Sequence, residues 1–279
     1  MLPRDQIRAA LARSVSSTGR ATGSRGADAK RGPALVAFIT AGYPSASEFL
    51  SVLRAVAGAA DAVEIGVPFS DPMADGVTVQ RSSQHAIEHG VTLKWIFDEL
   101  ARRDYELPSP VLLMSYLNPL LAFGGEAKES AAGYEALAAR AVEVGVSGFI
   151  VPDLPHEESA PLRAALDAHG LALVQLVTPG TPPERLRALC AASQGFVYAV
   201  TRAGTTGAES TLPAETAKYL AAVKAVSDLP VCAGFGVRRA EQVATIAKHA
   251  DGVVVGSALV EVLERGEDPA KFLDSLRGR

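Results

Sequence analysis

The sequence predicts an α/β protein built as a single (β/α)8 TIM barrel with an extra N-terminal helix, and three observations carry that reading. Short β-rich runs alternate with alanine-rich helical patterns from residue 34 onward, and eight such runs can be counted. The chain has 279 residues, 48% of them hydrophobic and 21% charged, which suits one large domain with a substantial core. The first run is followed by Thr40-Ala41-Gly42-Tyr43-Pro44 rather than a GxGxxG turn, which weakens the alternative of a doubly wound open sheet.

In chain order, residues 2–12 read as a short amphipathic helix with Ile7 and Leu11 on one face. Residues 14–33 are rich in Ser, Gly, Arg and Lys, show no apolar period, and read as a lead-in. Residues 1–33 are therefore set apart from a barrel domain at 34–279. The strands are expected at 35–40, 62–66, 111–115, 148–151, 171–177, 196–201, 230–233 and 252–255. Helical patterns fall at 47–57, 78–88, 134–144, 158–168, 183–190, 214–226 and 240–248. The net charge of -4 argues against an electrostatic nucleic-acid binder. No apolar run reaches membrane-spanning length. Cys190 and Cys232 form neither a CxxC pair nor a metal-ligand cluster, so a cytoplasmic location is expected.

The chemistry centres on residues 63–76, VEIGVPFSDPMADG. Side chains alternate along a strand, so Glu64 shares a face with Ala62 and Gly66, opposite Val63, Ile65 and Val67. If that face is enclosed, desolvation should raise the Glu64 pKa toward the range useful for proton transfer; a solvated edge-strand glutamate is the competing reading. Asp75 can be read as a helix N-cap, and Asp71 before Pro72 as a turn residue. Tyr198 shares a face with Phe196 and Val200, which also suits a plain core aromatic.

Three glycine-rich segments follow the sixth, seventh and eighth runs: 202–207, Gly234-Phe235-Gly236 and Gly256-Ser257. Barrels often bind phosphate there, and Ser257 is expected to cap a helix whose positive end faces the same anion. All seven lysines fall in helices or loops by this reading, which removes the nucleophile of Schiff-base aldol chemistry. His85 and His89, at helical spacing, read better as a solvated face than as a metal site. What remains is acid–base chemistry without a cofactor.

VEIGVPFSDPMADG resembles the signature of the tryptophan synthase alpha chain family. The resemblance extends in order through FITAGYP at 38–44, LLMSYLNP at 112–119, VPDLPHEES at 151–159, YAVTRAGTTG at 198–207, GFGV at 234–237 and VVVGSALV at 253–260. It implies retro-aldol cleavage of indole-3-glycerol phosphate into indole and glyceraldehyde 3-phosphate, with no cofactor or metal. It also implies a pyridoxal-phosphate-dependent beta chain as partner, in an alpha2-beta2 heterotetramer. A stand-alone lyase releasing free indole would use the same site.

Carried onto matching positions, the resemblance makes Glu64 the general acid–base, Asp75 the acceptor of the indole N–H, and Tyr198 a tyrosine close to both Glu64 and substrate. Gly207, Gly236, Gly256 and Ser257 match phosphate ligands, and Phe38, Met114 and Phe235 match walls of the indole pocket. Thr206 matches a loop-closing threonine that helps orient Asp75. Asp71 belongs to a loop that meets the beta chain, and the rim residues Phe69, Met73, Leu120, Leu121 and Phe123 suit that interface. Val77 departs from the family, which commonly has proline there.

Overall fold

The computed structural model describes residues 1–16, 32–123, 131–201, 212–234 and 236–278, without the side chains of 13–16 and 131. Eight parallel strands close into a barrel in sequence order, each paired with the next and the eighth with the first. They are β1 (Ala34–Thr40), β2 (Ala62–Gly66), β3 (Val111–Met114), β4 (Val146–Ile150), β5 (Ala172–Val177), β6 (Val197–Val200), β7 (Val231–Gly234) and β8 (Gly252–Val255). The eight expected runs are all strands, two with the expected bounds and six with ends shifted by one or two residues.

Among the described residues the helices are α1 (Pro3–Ser16), α2 (Phe49–Ala59), α3 (Val77–Glu88), α4 (Leu93–Arg102), α5 (Leu117–Phe123), α6 (Ala131–Glu143), α7 (Ala160–Ala168), α8 (Pro183–Ala192), α9 (Ala214–Val226), α10 (Ala240–Ile246), α11 (Ser257–Glu264) and α12 (Pro269–Leu276). Four were absent from the expected helical ranges, α4, α5, α11 and α12, although a helix after Ser257 was expected. Helix α4 buries Leu93, Ile96, Phe97 and Leu100 along one stripe, and Thr92 caps it by accepting from the Trp95 N–H. Helix α5 is a single short segment behind β3, too brief to show a period.

Alternation along each strand builds two cores. Outward-facing Leu35, Ile65, Leu113 and Val255 pack under the helices, while inward-facing Val36, Ala62, Leu112, Val174 and Val254 fill the barrel. Helix α1 closes the N-terminal end of the barrel, where Ile7 and Leu11, both wholly buried, join the interior cluster beside Phe196. Gly195, at φ 76°, has Ile7 side-chain atoms only 3.2 Å from where a Cβ would stand, so the floor is packed tightly at that turn.

The last helix is tied back to the first strands by a buried ion pair. Arg277 donates to Asp61 at 2.7 Å and to the Ala59 carbonyl at 3.2 Å, while Asp61 also accepts from the Leu35 N–H at 2.8 Å. With the floor closed, the open end of the barrel is its C-terminal rim.

Candidate active site

Glu64 lies in the middle of β2 and points into the barrel, between Phe38 on β1 and Leu112 on β3 in register. It is wholly buried, and no described group hydrogen-bonds either carboxyl oxygen. Burial alone pushes its pKa up to about 8. The edge-strand reading therefore fails, because β2 is paired on both sides and its inner face is enclosed.

The last strand residue, Gly66, leaves no room for a side chain: the Phe38 ring lies 2.5 Å from where a Cβ would be. The chain then runs through 67–76 as a loop pinned to α3. Ser83 accepts from the Phe69 N–H at 2.8 Å and donates to its carbonyl at 3.1 Å, and the Gln80 amide donates to the Asp75 carbonyl at 2.9 Å.

This anchoring turns Asp75 toward the barrel. It is not the N-cap of α3; Gly76 occupies that position and offers no side chain. The Asp75 carboxylate instead accepts from the Tyr116 hydroxyl at 3.0 Å, and the Tyr116 oxygen accepts from the Ala74 N–H at 2.8 Å. Burial raises the Asp75 pKa, and the Tyr116 bond opposes the rise. Tyr116 is itself buried and stacked on Phe69, with ring centroids 4.9 Å apart.

Tyr116 is a site residue that the sequence reading quoted within LLMSYLNP but gave no task. The available signal was its parity: Leu112, Met114 and Tyr116 fall on one face of β3 and the turn beyond it. A narrow cavity over these residues is walled by Phe38, Gly66, Met114 and Tyr116, with Asp75 at its edge and the Thr40 and Ser83 hydroxyls adding polar contacts.

Tyr198 is half-buried on β6 beside Phe196, whose ring centroid lies 6.2 Å away, so it is both a core aromatic and a member of the site. Its pKa is raised well above the ordinary tyrosine value, first by burial and then by the charges of Glu64 and Asp75. Both acids thus lie near enough for their charges to act on the Tyr198 hydroxyl. Gly234 on β7 makes space for the ring: a Cβ there would stand 3.1 Å from the Tyr198 hydroxyl.

The phosphate candidates sit across the rim. β7 and β8 leave the barrel side by side. Gly236 has φ 63° and nothing within 4 Å of a would-be Cβ, so its backbone is bare. Gly256 is the N-cap of α11. Ser257 is the first residue of that helix and caps nothing, which corrects the expectation; a residue already inside the first turn cannot fold its hydroxyl back onto the N–H groups ahead of it. The Leu259 N–H is taken by the Gly256 carbonyl at 2.8 Å, but the Ser257 and Ala258 N–H groups at the start of α11 have no intrahelical acceptor, an arrangement suited to a phosphate. Gly207, Thr206 and Phe235 lie outside the described residues.

The expected interface residues separate. Met73 is strongly exposed, Phe69 is half-buried against Tyr116, and Asp71 is exposed with its carboxylate taking the Ser70 hydroxyl at 2.5 Å; Val77, not among the expected interface residues, is strongly exposed as well. Leu120 is the buried residue of α5 and belongs to the core under the helices, so it cannot serve a docking surface as expected.

The family model described as tryptophan synthase alpha chain matches residues 25–277. The chain belongs to the tryptophan synthase alpha chain family. Curated alpha chains from Solidesulfovibrio magneticus and Nitratidesulfovibrio vulgaris are each 44% identical, over 88% and 89% of this chain and 93% and 94% of theirs. Among solved structures, the tryptophan synthase alpha chain of Legionella pneumophila superposes with TM-score 0.80 at 30% identity, covering 100% of this chain and 97% of that one. A Mycobacterium tuberculosis tryptophan synthase chain gives TM-score 0.82 at 32% identity, covering 98% and 96%. The fold expectation and the family resemblance are both borne out. Membership makes the chain an alpha-type lyase of tryptophan biosynthesis.

Proposed function

We propose that Glu64, Asp75 and Tyr198 carry out the reaction that family membership assigns to this chain, cleavage of indole-3-glycerol phosphate into indole and glyceraldehyde 3-phosphate. The observation that carries the assignment is Glu64: an acid wholly enclosed by the barrel, with a pKa of about 8, holds its proton at neutral pH and can donate it.

Glu64 gives that proton to the indole carbon bearing the glycerol chain, leaving positive charge on the ring nitrogen. Asp75, negative and largely shielded from water, accepts the indole N–H and stabilises that charge. The Glu64 carboxylate then takes the proton of the neighbouring hydroxyl. The O–H electrons form the aldehyde carbonyl, the carbon–carbon bond breaks, and its electrons restore the indole ring. Glu64 ends protonated, so the side chain returns to its starting state. Tyr198, close to both acids, packs against the reacting carbons.

Phe38 and Met114 wall the indole on the described side, and Phe235 is assigned to the same wall. Gly236, Gly256, Ser257 and Gly207 hold the phosphate through backbone N–H groups and the α11 N-terminus. Thr206 closes over the substrate and orients Asp75. The partner is a beta chain, in an alpha2-beta2 assembly that meets the loop of Phe69 and Asp71; the exposed Met73 and Val77 support an apolar contact there. We place the work in the cytoplasm, where the buried thiols of Cys190 and Cys232 stay reduced.

Glu64→Gln is isosteric and cannot exchange a proton. Its rate of indole release from indole-3-glycerol phosphate should fall at least about a hundredfold, with affinity for glycerol 3-phosphate little changed. Near-normal turnover would overturn the assignment of Glu64.

A further inference from the structure

The narrow cavity assigned to the indole ring has four side-chain hydroxyls in its walls, those of Thr40, Ser83, Ser115 and Tyr116. Each hydroxyl proton can be followed to its acceptor. Tyr116 donates to Asp75, Ser83 to the Phe69 carbonyl at 3.1 Å and Ser115 to the Tyr116 carbonyl at 2.8 Å. Thr40 and Ser82, both buried, have their oxygens 2.6 Å apart, and geometry alone allows either to donate. Ser82 decides the direction, because it gives its own proton to the Val79 carbonyl at 2.9 Å, one turn back on α3. A hydroxyl has a single proton, so Thr40 is the donor to Ser82 and keeps only lone pairs for the cavity.

The neighbouring backbone donors are committed in the same way. The N–H groups of Val67, Phe69 and Ser115 are taken by the Met114 carbonyl, the Ser83 hydroxyl and the Ile150 carbonyl. Glu64, which holds its proton, pairs with Phe38 one inward position deeper than Gly66 and does not line this cavity. An occupant therefore meets hydrocarbon from Phe38, Val79 and Met114 and, from the hydroxyls and the Asp75 carboxylate, acceptors alone.

We propose that Thr40, oriented by Ser82, is a specificity-determining residue: the pocket takes rings edged with C–H or N–H and rejects those with an acceptor in the edge. The inference rests on the assignment of this cavity to indole. Indole has one polar atom, the N–H that Asp75 accepts, and its remaining edge is C–H, which tolerates a lone pair beside it. A ring nitrogen in place of one of those CH groups leaves the size unchanged. It brings a lone pair that loses its water and faces the lone pairs of the wall with no proton between them.

The test uses indole and the four azaindoles in which nitrogen replaces one CH of the six-membered ring, as inhibitors of glyceraldehyde 3-phosphate release by the full chain. Each azaindole should inhibit at least about tenfold more weakly than indole. Desolvation of the nitrogen adds to that gap in any buried site, so the deciding variant is Ser82→Ala. It removes the acceptor that holds the Thr40 proton and lets that proton turn into the cavity. The ratio of azaindole to indole inhibition constants, from which a general change in the pocket cancels, should then fall about tenfold for the isomer whose nitrogen meets Thr40. Ser82→Cys, with a weakly accepting sulfur of similar size, should lower the same ratio if the alanine variant folds poorly. Adding Thr40→Val to Ser82→Ala leaves no hydroxyl to turn and should abolish most of the gain. Equal inhibition by indole and the azaindoles, a ratio that neither Ser82 variant alters for any isomer, or a gain that survives Thr40→Val overturns the role of Thr40 and leaves the indole assignment standing. Failure of indole itself to compete overturns that assignment, and this inference with it.

Discussion

Glu64 makes its burial measurable through pH. Its carboxyl is raised from the ordinary 4.5 to about 8, so below about pH 4.5 it is protonated whether the chain is folded or not. Between these values the unfolded chain releases the proton and the folded chain keeps it, so stability falls as pH rises and levels off above about 8. Urea denaturation at pH 5, 7 and 9 should show this decline, and Glu64→Gln should flatten it. The same ionisation sets the activity: kcat/KM should drop as pH passes about 8 and the acid loses the proton it must donate. Tyr116 acts one step back, through Asp75. Tyr116→Phe removes a charge-assisted hydrogen bond and leaves the Ala74 N–H without its acceptor. It should lower kcat by about tenfold, the equivalent of 1.4 kcal/mol, and move the acidic limb of the pH profile upward, because the Tyr116 bond holds the Asp75 pKa down. A kcat loss with an unmoved limb would mean that Tyr116 serves only as packing.

At the scale of elements, the barrel separates stability from chemistry by placing them at opposite ends. Helix α1 seals the floor, and Ile7→Ala would leave a cavity there costing about 2–5 kcal/mol in denaturant unfolding, with cleavage by the folded fraction unchanged. A parallel loss of kcat would show that floor and rim are coupled. The α12 tether is electrostatic. Arg277→Ala takes from the buried Asp61 carboxylate its ion-pair partner, and should cost about 3–5 kcal/mol by the same measurement. The loop of 67–76 is apolar and buried at its start, at Val67 and Pro68, and beyond them is held to its course by Gln80 and Ser83 of α3.

For the whole molecule, alternation of short apolar runs with helical patterns was enough to read the barrel, because a parallel strand covered on both faces has few other solutions in one chain of this size. Strand parity likewise put Glu64 on the inner face and made Tyr116 discoverable. Helix α5 was not legible, since seven residues hold less than two turns and no period. Asp75 was read locally as a cap, and only the approach of β3 gave it Tyr116 as a partner instead. Leu120 shows the converse error, an apolar residue assigned to a surface that the fold had turned inward. By itself the sequence determined the fold class, the strand face that carries Glu64 and the family, because each depends on the order and period of residues along the chain. The tertiary structure alone decided the enclosure and raised pKa of Glu64 and the bond between Asp75 and Tyr116. Those follow from which distant segments share one low-dielectric space, and that is fixed only when the barrel closes.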